Sequence, residues 1–399
     1  MLFSEVIGHA ATKQHLAEMV EQNRLSHALI FLAKEGSGGL PLALAFAQYV
    51  VSLPPDAPVV EDLFGGMTAL APTPAYIHPD QIAEQPAFQR AHQLLHPDLH
   101  FTFPVIPKKS GDKPVSADYI EEWRSFLQTY PYGNVYDWLQ SIGAENKQGN
   151  ITSDECNQIN RQLSLKSFES KYKVLLLWMP EYLGKEGNKL LKLIEEPPPN
   201  TLFILVAENE ELILPTILSR CQLVRVPALE DEDIEQALIT RSKATPEVAK
   251  QITAICEGNY REALHLLQHA DEDWNSLLRE WLNAMLKNGP AAQVKFVEEI
   301  NKLGREKQKQ FLRYFNHLLE QSIRIRVLGE ENIKQGETEK DFAKRLNKIV
   351  SVSQQEAIIE ELDKASYYIE RNANAKMLFH ALTIKLYHII QNKTLILNN

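Results

Sequence analysis

The sequence of 399 residues is poor in cysteine and has no long apolar run. Its three cysteines, Cys156, Cys221 and Cys256, lie far apart without a C-x-x-C pair, which excludes a readable disulfide framework or four-ligand zinc site. We therefore expect three reduced thiols. No apolar run approaches the roughly 20 residues that span a bilayer, and the amino-terminal residues lack the basic and then apolar pattern of a signal peptide. A cytoplasmic location is the expectation that follows.

Acidic residues outnumber basic residues, with 52 Asp and Glu against 42 Lys and Arg. The formal net charge is −10 at pH 7. A protein that binds nucleic acid with its whole surface needs clustered Lys and Arg, because such binding is driven by counterion release. The charge therefore argues against this class of protein, and contacts with DNA are expected to be local or shared with partners.

The length and the apolar pattern predict several domains and a parallel sheet. A chain of 399 residues exceeds the size at which one hydrophobic core keeps growing. Continuous apolar runs of strand length occur at 27–32, 173–178 and 201–206, with a shorter one at 222–226. Continuous rather than alternating apolarity is typical of strands that helices cover on both faces. We predict an α/β core built on a parallel sheet.

The rest of the chain divides by composition. Residues 54–113 are rich in proline and poor in periodicity, which predicts a long irregular insertion because proline removes backbone donors. Short helical patterns occupy 228–270, and nearly all of 271–399 has the spacing of amphipathic helices. The predicted organisation is a core over 1–227, a small helical lid over 228–270 and an all-α domain over 271–399.

A glycine-rich turn, Gly36-Ser37-Gly38-Gly39, follows the first predicted strand and precedes a helical pattern. A phosphate-binding loop needs G-x-x-x-x-G-K-[ST] in this context, so that backbone N–H groups and a lysine hold the phosphates. Here Gly39 stands where the lysine is required, and Leu40 stands where the magnesium-binding hydroxyl is required. The favoured interpretation is a glycine-rich turn without a ligand; retained nucleotide binding is the alternative.

The end of the second predicted strand also lacks the carboxylates of an ATPase. Such an enzyme ends this strand with Asp-Glu, which place the magnesium ion and the attacking water. Here the strand is followed by Met179-Pro180-Glu181, with one carboxylate and no acidic neighbour. Two independent defects predict an inactive ATPase site. Glu181 is interpreted as a solvated loop carboxylate, with a role as a base as the alternative.

The most specific segment begins with L-L-K-L-I-E-E-P-P over 190–198 and ends, after a strand and a short helical pattern, with Ser219-Arg220-Cys221. This combination resembles the clamp-loader branch of the AAA+ proteins. In that branch the serine-arginine-cysteine motif places its arginine, called an arginine finger, in the active site of the adjacent subunit. The resemblance assigns this role to Arg220, flanked by Ser219 and Cys221. A structural ion pair at a helix end is the alternative.

A second arginine motif, Gly258-Asn259-Tyr260-Arg261, is similar to the sensor-two signature G-x-x-R of the same branch. In active relatives the arginine of this signature reaches the nucleotide phosphate from the lid. For Arg261, phosphate contact and packing between domains remain equal alternatives. Asn209, after the third predicted strand, is a weaker candidate in the sensor-one region.

The resemblance covers most of the chain, from 3–9 to the asparagine-rich start of a final helix at 371–379. A defective phosphate loop combined with an intact S-R-C motif is similar to the delta-prime type of bacterial DNA polymerase III clamp-loader subunits. Many members carry a four-cysteine zinc module, which the proline-rich region here lacks, so zinc is not carried over.

The resemblance implies an AAA+ core, a helical lid and a C-terminal helical collar domain within a five-subunit loader. It implies as partners the ATP-hydrolysing gamma/tau-type subunits and a delta-type clamp-opening subunit, with the sliding clamp as a further candidate and primed DNA reached through the complex. No cofactor of its own is expected for this chain. Two other classes remain: an active AAA+ ATPase with an atypical loop, such as a gamma/tau-like subunit or a helicase loader, and a general DNA-binding adaptor.

Overall fold

The computed structural model describes residues 1–55, 59–61, 67–69, 76–109, 111–144, 147–268, 274–329, 337–370 and 373–392. The chain divides into two compact units, Met1–His265 and Leu266–Asn399. The predicted boundary between the lid and the all-α domain, at 270 and 271, lies outside the described residues. The division of the first unit into a core and a separate lid stays a prediction.

A parallel sheet forms the centre of the first unit. The described residues contain the strands β1 (Ala28–Ala33), β2 (Val59–Glu61), β3 (Met67–Ala69), β4 (Leu99–Thr102), β5 (Lys173–Trp178), β6 (Thr201–Ala207) and β7 (Gln222–Val226). Five of them form one sheet in the order β4-β5-β6-β1-β7, in which all the pairs are parallel. The strands β2 and β3 form a separate antiparallel pair.

The strands predicted from continuous apolar runs lie in this sheet. Every residue of β5 and β6 is buried, and β1 is buried at all but one position. The edge strand β7 alternates between exposed and buried residues after its first position, as expected for a strand with one covered face and one face exposed to solvent. Because the strands are parallel, all their carboxyl ends lie at one edge of the sheet.

The strand β4 was not predicted, because it lies inside the segment interpreted as an irregular insertion. It pairs with β5 from Leu99 to Thr102. The strand is only four residues long and contains His100, whose burial lowers its pKa to about 4. A strand this short between two prolines has no periodic signal of its own, and its pairing with β5 decides its conformation.

Helices cover the sheet. The helices of the first unit are α1 (Ala10–Glu21), α2 (Gly39–Val51), α3 (Pro86–His92), α4 (Ile120–Thr129), α5 (Val135–Ser141), α6 (Ser153–Ser164), α7 (Leu191–Glu195), α8 (Pro215–Leu218), α9 (Asp231–Ser242), α10 (Pro246–Cys256) and α11 (Tyr260–Gln268), the last of which contains the boundary between the units. The helix α2 is buried along its whole length and packs against β5 and β6. Its position places the turn between β1 and α2 at the carboxyl edge of the sheet.

The second unit is helical in its described residues. Its helices are α12 (Trp274–Leu286), α13 (Pro290–Lys302), α14 (Arg305–Leu328), α15 (Glu337–Ile349), α16 (Val352–Glu370) and α17 (Ala375–Asn392). Its core contains Trp281, which is fully buried and stacks on Phe296 with 5.6 Å between the ring centroids. The apolar stripe of α14, including Phe315 and Leu318, is buried in this same core. The predicted fold class, a parallel α/β core followed by all-α structure, is confirmed.

Among the helices of the described segments, none combines the length and the apolar character that crossing a membrane requires.

Candidate functional site

The glycine-rich turn runs directly from β1 into α2, as the sequence predicts. Gly36 and Gly38 have φ angles of 67° and 98°, a region that glycine enters without steric cost. Gly39 is constrained differently, because a Cβ added there would lie 2.4 Å from the Cβ of Ala33. The backbone of Gly39 therefore packs against the end of β1. A lysine at this position does not fit the present path of the chain.

Three carbonyl groups of this loop accept hydrogen bonds from within the chain. The ring N–H of His9 donates to the Ser37 carbonyl at 2.6 Å, and the Ser37 hydroxyl donates to the Lys34 carbonyl at 2.6 Å. The Tyr260 N–H donates to the Gly36 carbonyl at 3.0 Å. Burial lowers the pKa of His9, which favours its neutral form. Hydrogen bonds from His9 and Tyr260 therefore fix the conformation of the loop.

The cavity at this loop is small. It has a volume of about 20 Å³ and is lined by residues that include Lys34, Gly38, Tyr132, Trp178 and Glu208. Pockets that bind small molecules have volumes of roughly 300–1,000 Å³, whereas one water molecule needs at least about 10–15 Å³. In this conformation the space beside the loop is therefore closer to the size of a water molecule than to that of a nucleotide.

Arg261 lies beside the loop in an ion-pair cluster. Its Nε and Nη2 donate to the two carboxylate oxygens of Asp137 at 2.5 and 2.7 Å, and its Nη1 donates to Glu35 Oε1 at 3.2 Å. The side chain is only 4% exposed. In this conformation Arg261 packs against other segments of the chain, as one of the two alternatives describes. Contact of Arg261 with a nucleotide phosphate stays a prediction.

Glu181 is not a solvated carboxylate, and that interpretation was wrong. Its Oε1 accepts the N–H groups of Glu208 and Asn209 at 2.6 and 2.8 Å. Its Oε2 is buried and has no hydrogen-bond partner among the described residues. Burial raises the pKa of Glu181 above its usual range. The side chain therefore joins the end of β5 to the residues that follow β6, including the sensor-one candidate Asn209.

Arg220 lies between α8 and β7, where it forms a surface ion pair. Its Nε and Nη2 donate to Glu195 Oε2 at 3.2 and 3.1 Å, and its Nη1 donates to the Thr216 carbonyl at 2.9 Å. The Arg220 side chain is 32% exposed and that of Glu195 is 58% exposed. The ion pair named above as an alternative thus exists within this chain. An exposed pair of this kind contributes only about 0–1 kcal/mol to stability.

Arg220 and the phosphate loop of its own chain lie at opposite edges of the sheet. Gln222, at the start of β7, pairs with Leu29 at the start of β1, whereas Ala33, at the end of β1, pairs with Val226. Four residues of strand separate these edges by about 13 Å, since a strand rises about 3.3 Å per residue. Arg220 precedes the first edge and the loop follows the second. The guanidinium is therefore not part of its own chain's phosphate loop.

The cysteines of the motif and elsewhere are free thiols. Burial raises the pKa of Cys221 and of Cys156 to about 11, and that of Cys256 to about 12. Thiols with raised pKa values are poor nucleophiles and poor metal ligands. Within the described ranges no group of three or more His, Cys, Asp and Glu side chains is placed to hold a metal ion.

The sequence interpretation missed the residues that meet Arg261. Asp137 and Glu35 lie 124 and 226 residues from it in the chain. Asp137 closes a capping box with Asn134 at the start of α5, in which each side chain accepts the other's backbone N–H. That spacing is visible in the sequence and would have marked a helix start. Nothing in the sequence points from that helix to Arg261.

Residues 80–230 match the family model described as DNA polymerase III, delta subunit. A segment of 123 residues is 32% identical to the DNA polymerase III subunit gamma of Buchnera aphidicola, covering 29% of this chain and 34% of that protein. A longer segment of 252 residues is 24% identical to the DNA polymerase III subunit delta' of Bacillus subtilis, covering 63% of this chain and 56% of that protein. The chain thus spans about a third to a little over half of these relatives.

A DNA polymerase III gamma subunit-related protein of Thermotoga maritima is among the similar solved structures. It is 15% identical to this chain, with a TM-score of 0.37, and the match covers 94% of this chain and 99% of that structure.

Proposed function

We propose that this chain, which is similar to clamp-loader-type subunits of DNA polymerase III, acts as the delta-prime-type subunit of a bacterial loader. In this role it hydrolyses little or no ATP itself and serves as a stator, a rigid member of the assembly. Its Arg220 side chain enters the ATP site of a neighbouring gamma/tau-type subunit while the sliding clamp is loaded onto primed DNA. The delta-type clamp-opening subunit completes the set of proposed partners.

The observation that carries the proposal is the position of Arg220. It precedes β7, at the edge of the sheet opposite the loop that follows Ala33. Its side chain is 32% exposed and forms an ion pair with Glu195 at the protein surface. An arginine in this position is accessible to a phosphate that another chain presents, whereas its own loop is beyond its reach.

The chemistry of arginine fits such a role. A guanidinium stays protonated and presents a planar set of donors that matches phosphate oxygens. Supplied from a second protein, it neutralises charge that develops on the transferred phosphoryl group, an effect worth about 10³–10⁵ in rate for GTPases. A subunit that hydrolyses nothing can keep such a residue, because the catalytic benefit falls on its neighbour.

The state of the chain's own loop supports the non-hydrolysing part of the proposal. Gly39 replaces the phosphate-binding lysine and packs against Ala33 with no room for a Cβ. The adjoining cavity of about 20 Å³ is too small for a nucleotide in this conformation. The end of β5 supplies Glu181, whose Oε1 already accepts two backbone N–H groups.

The test is reconstitution with the ATP-hydrolysing, clamp-opening and clamp subunits. We expect Arg220→Ala to assemble normally and to reduce DNA-stimulated ATP hydrolysis and clamp loading by at least about 10³-fold at the site it serves. Arg161→Ala, which removes an exposed arginine from α6, is the matched control and should leave both rates unchanged. Unchanged rates in Arg220→Ala assemblies of full subunit content would overturn the arginine-finger role.

A second measurement addresses the main alternative, an active ATPase with an atypical loop. ATP binding and turnover by the isolated chain are measured with and without magnesium. We expect neither tight magnesium-dependent binding nor turnover. Both together would replace the stator role with that of a gamma/tau-like subunit or helicase loader.

A further inference from the structure

The buried ion pairs around Arg261 join three segments that are remote in sequence. The arginine comes from α11, Asp137 from α5, and Glu35 from the loop between β1 and α2. The Arg261–Asp137 pair is bidentate, with both carboxylate oxygens accepting, and the exposed fractions of the three side chains are 4%, 12% and 21% for Arg261, Asp137 and Glu35. Bidentate arginine–carboxylate pairs are among the strongest hydrogen-bonded contacts in proteins.

The cluster lies where the chain would otherwise attract an anion. The helix α2 begins at Gly39, directly after the loop that carries Glu35, and a helix start favours negative charge through its dipole and its free N–H groups. Arg261 adds a full positive charge beside it. In this structure the carboxylates of Asp137 and Glu35 supply the negative charge, and they balance the positive charge of Arg261.

Residues next to Arg261 also contact the loop directly. Besides the hydrogen bond from Tyr260 to the Gly36 carbonyl, a Cβ added to Gly36 would lie 1.7 Å from Asn259 Oδ1 and 3.1 Å from the Cβ of Arg261. The segment around Asn259 therefore lies directly against the loop. The ring of Tyr132, five residues before Asp137, packs edge-on to Tyr260 with centroids 5.0 Å apart.

We propose that Asp137 and Glu35 act as an internal anion that keeps the phosphate loop closed on residues 259–261 without any nucleotide. The loop then stays closed whenever the chain is folded, because the carboxylates that balance the charge of Arg261 belong to the same chain. An external phosphate compound reaches Arg261 only by displacing two carboxylates that are held at high local concentration. This inference concerns the isolated chain and does not depend on the role proposed for Arg220.

Hydrogen exchange of the full-length chain tests the proposal. The variants are Asp137→Asn, which keeps the shape and the capping position of the side chain, and the double variant Glu35→Gln with Asp137→Asn. We expect exchange of the loop amides at 34–40 and of the Tyr260 amide to become at least about tenfold faster in the double variant, because a lost ion pair opens this region locally. The amides of β5 and β6 serve as the internal reference and should not change.

The unfolding temperature supplies a second measurement. Removing the bidentate carboxylate leaves the buried Arg261 with only part of its counter-charge, so Asp137→Asn should lower the unfolding temperature by up to about 20 °C. Arg261→Lys keeps the charge but loses the bidentate geometry, so its effect should be smaller than that of Arg261→Gln. Arg345→Gln breaks the exposed pair with Asp341 and is the matched control, expected to shift the temperature by no more than about 4 °C.

Adding inorganic pyrophosphate tests whether the negative charge of the two carboxylates, rather than their packing, protects the loop amides from exchange. In the double variant, pyrophosphate should restore the slow exchange of the loop amides, because it supplies the missing negative charge. In the wild-type chain it should change nothing at the same concentration. Equal protection of both chains by pyrophosphate, or unchanged loop exchange in the double variant, would overturn the proposal.

Discussion

Glu195 and Arg220 meet at the protein surface, where one carboxylate oxygen of Glu195 accepts from both Nε and Nη2 of the guanidinium. Glu195 ends α7 and is the first acidic residue of the E-E-P-P motif, while Arg220 is the centre of the S-R-C motif. Two sequence motifs separated by 25 residues are therefore joined by one ion pair.

Loss of this ion pair should affect the orientation of Arg220 more than the stability of the fold. We predict that Glu195→Ala changes the free energy of unfolding by less than about 1 kcal/mol, because both side chains are substantially exposed. In reconstituted loaders it should lower the stimulated ATPase rate less than Arg220→Ala does. Urea unfolding and ATPase assays measure the two effects, with Glu360→Ala, which breaks the exposed pair with Lys364, as the control. A loss of several kcal/mol would contradict the assignment of a surface pair.

Glu181 should give the chain a pH dependence of known sign. Its pKa is raised in the folded state, so the folded chain binds more protons than the unfolded chain between the ordinary pKa near 4.5 and the raised value. The stability contributed by this group is present at low pH and is lost as the pH rises through the folded pKa. We predict that Glu181→Gln becomes more stable relative to the wild type as the pH increases from about 4 to about 7.

Denaturant unfolding of both chains across this pH range measures the difference. Glu210→Gln, a substitution at an exposed position near the same loop, is the control and should show no such trend. A Glu181→Gln variant that loses relative stability with rising pH would contradict the assigned direction of the pKa shift.

His9 should produce the opposite trend. Burial lowers its pKa below the ordinary value of 6.5, so the unfolded chain binds more protons than the folded chain just below that value. The stability contributed by neutral His9 is therefore present above about pH 6.5 and is lost as the pH falls toward the folded pKa. We predict that His9→Gln reduces this loss.

The titration of His9 by nuclear magnetic resonance checks the same prediction directly. Its pKa should lie below the ordinary value of 6.5. A pKa at or above 6.5 for His9 would show that its ring is not held in the neutral form.

Restoring the missing lysine should destabilise the chain unless space is made for it. We predict that Gly39→Lys lowers the free energy of unfolding by about 1–3 kcal/mol, because its Cβ would lie within 2.4 Å of the Ala33 Cβ. Combining it with Ala33→Gly removes the clashing atom and should recover part of the loss. Thermal unfolding of both single variants and the double variant measures the coupling. Additive effects of the two substitutions would contradict the steric explanation.

Local sequence patterns predicted much of the fold. The continuous apolar runs became β1, β5, β6 and β7, and the short helical patterns predicted over 228–270 include α9 and α10. Thr152 caps α6, since its hydroxyl accepts the Glu155 N–H, and the Thr-x-x-Glu spacing of this cap is visible in the sequence. These elements were accessible because buried strands and capped helices leave periodic or paired signals within a few residues.

The candidate site was predicted less completely. The missing lysine at Gly39 and the S-R-C motif at Arg220 are visible in the sequence, but the burial of Glu181 is not. The hydrogen bonds of Glu181 come from the backbone after β6, and backbone donors carry no sequence signal. The same limit hid β4, whose pairing with β5 depends on residues that lie 75 positions later in the chain.

The sequence by itself determined the buried strands, the glycine turn without a lysine at position 39, and the presence of an arginine at 220 and at 261. Tertiary structure alone decided that Arg220 lies at one edge of the sheet with Glu195, and that Arg261 lies at the other with Asp137 and Glu35. The physical reason is that apolar burial is recorded residue by residue in a strand, whereas the partner of a charge depends on which remote segments the topology brings together.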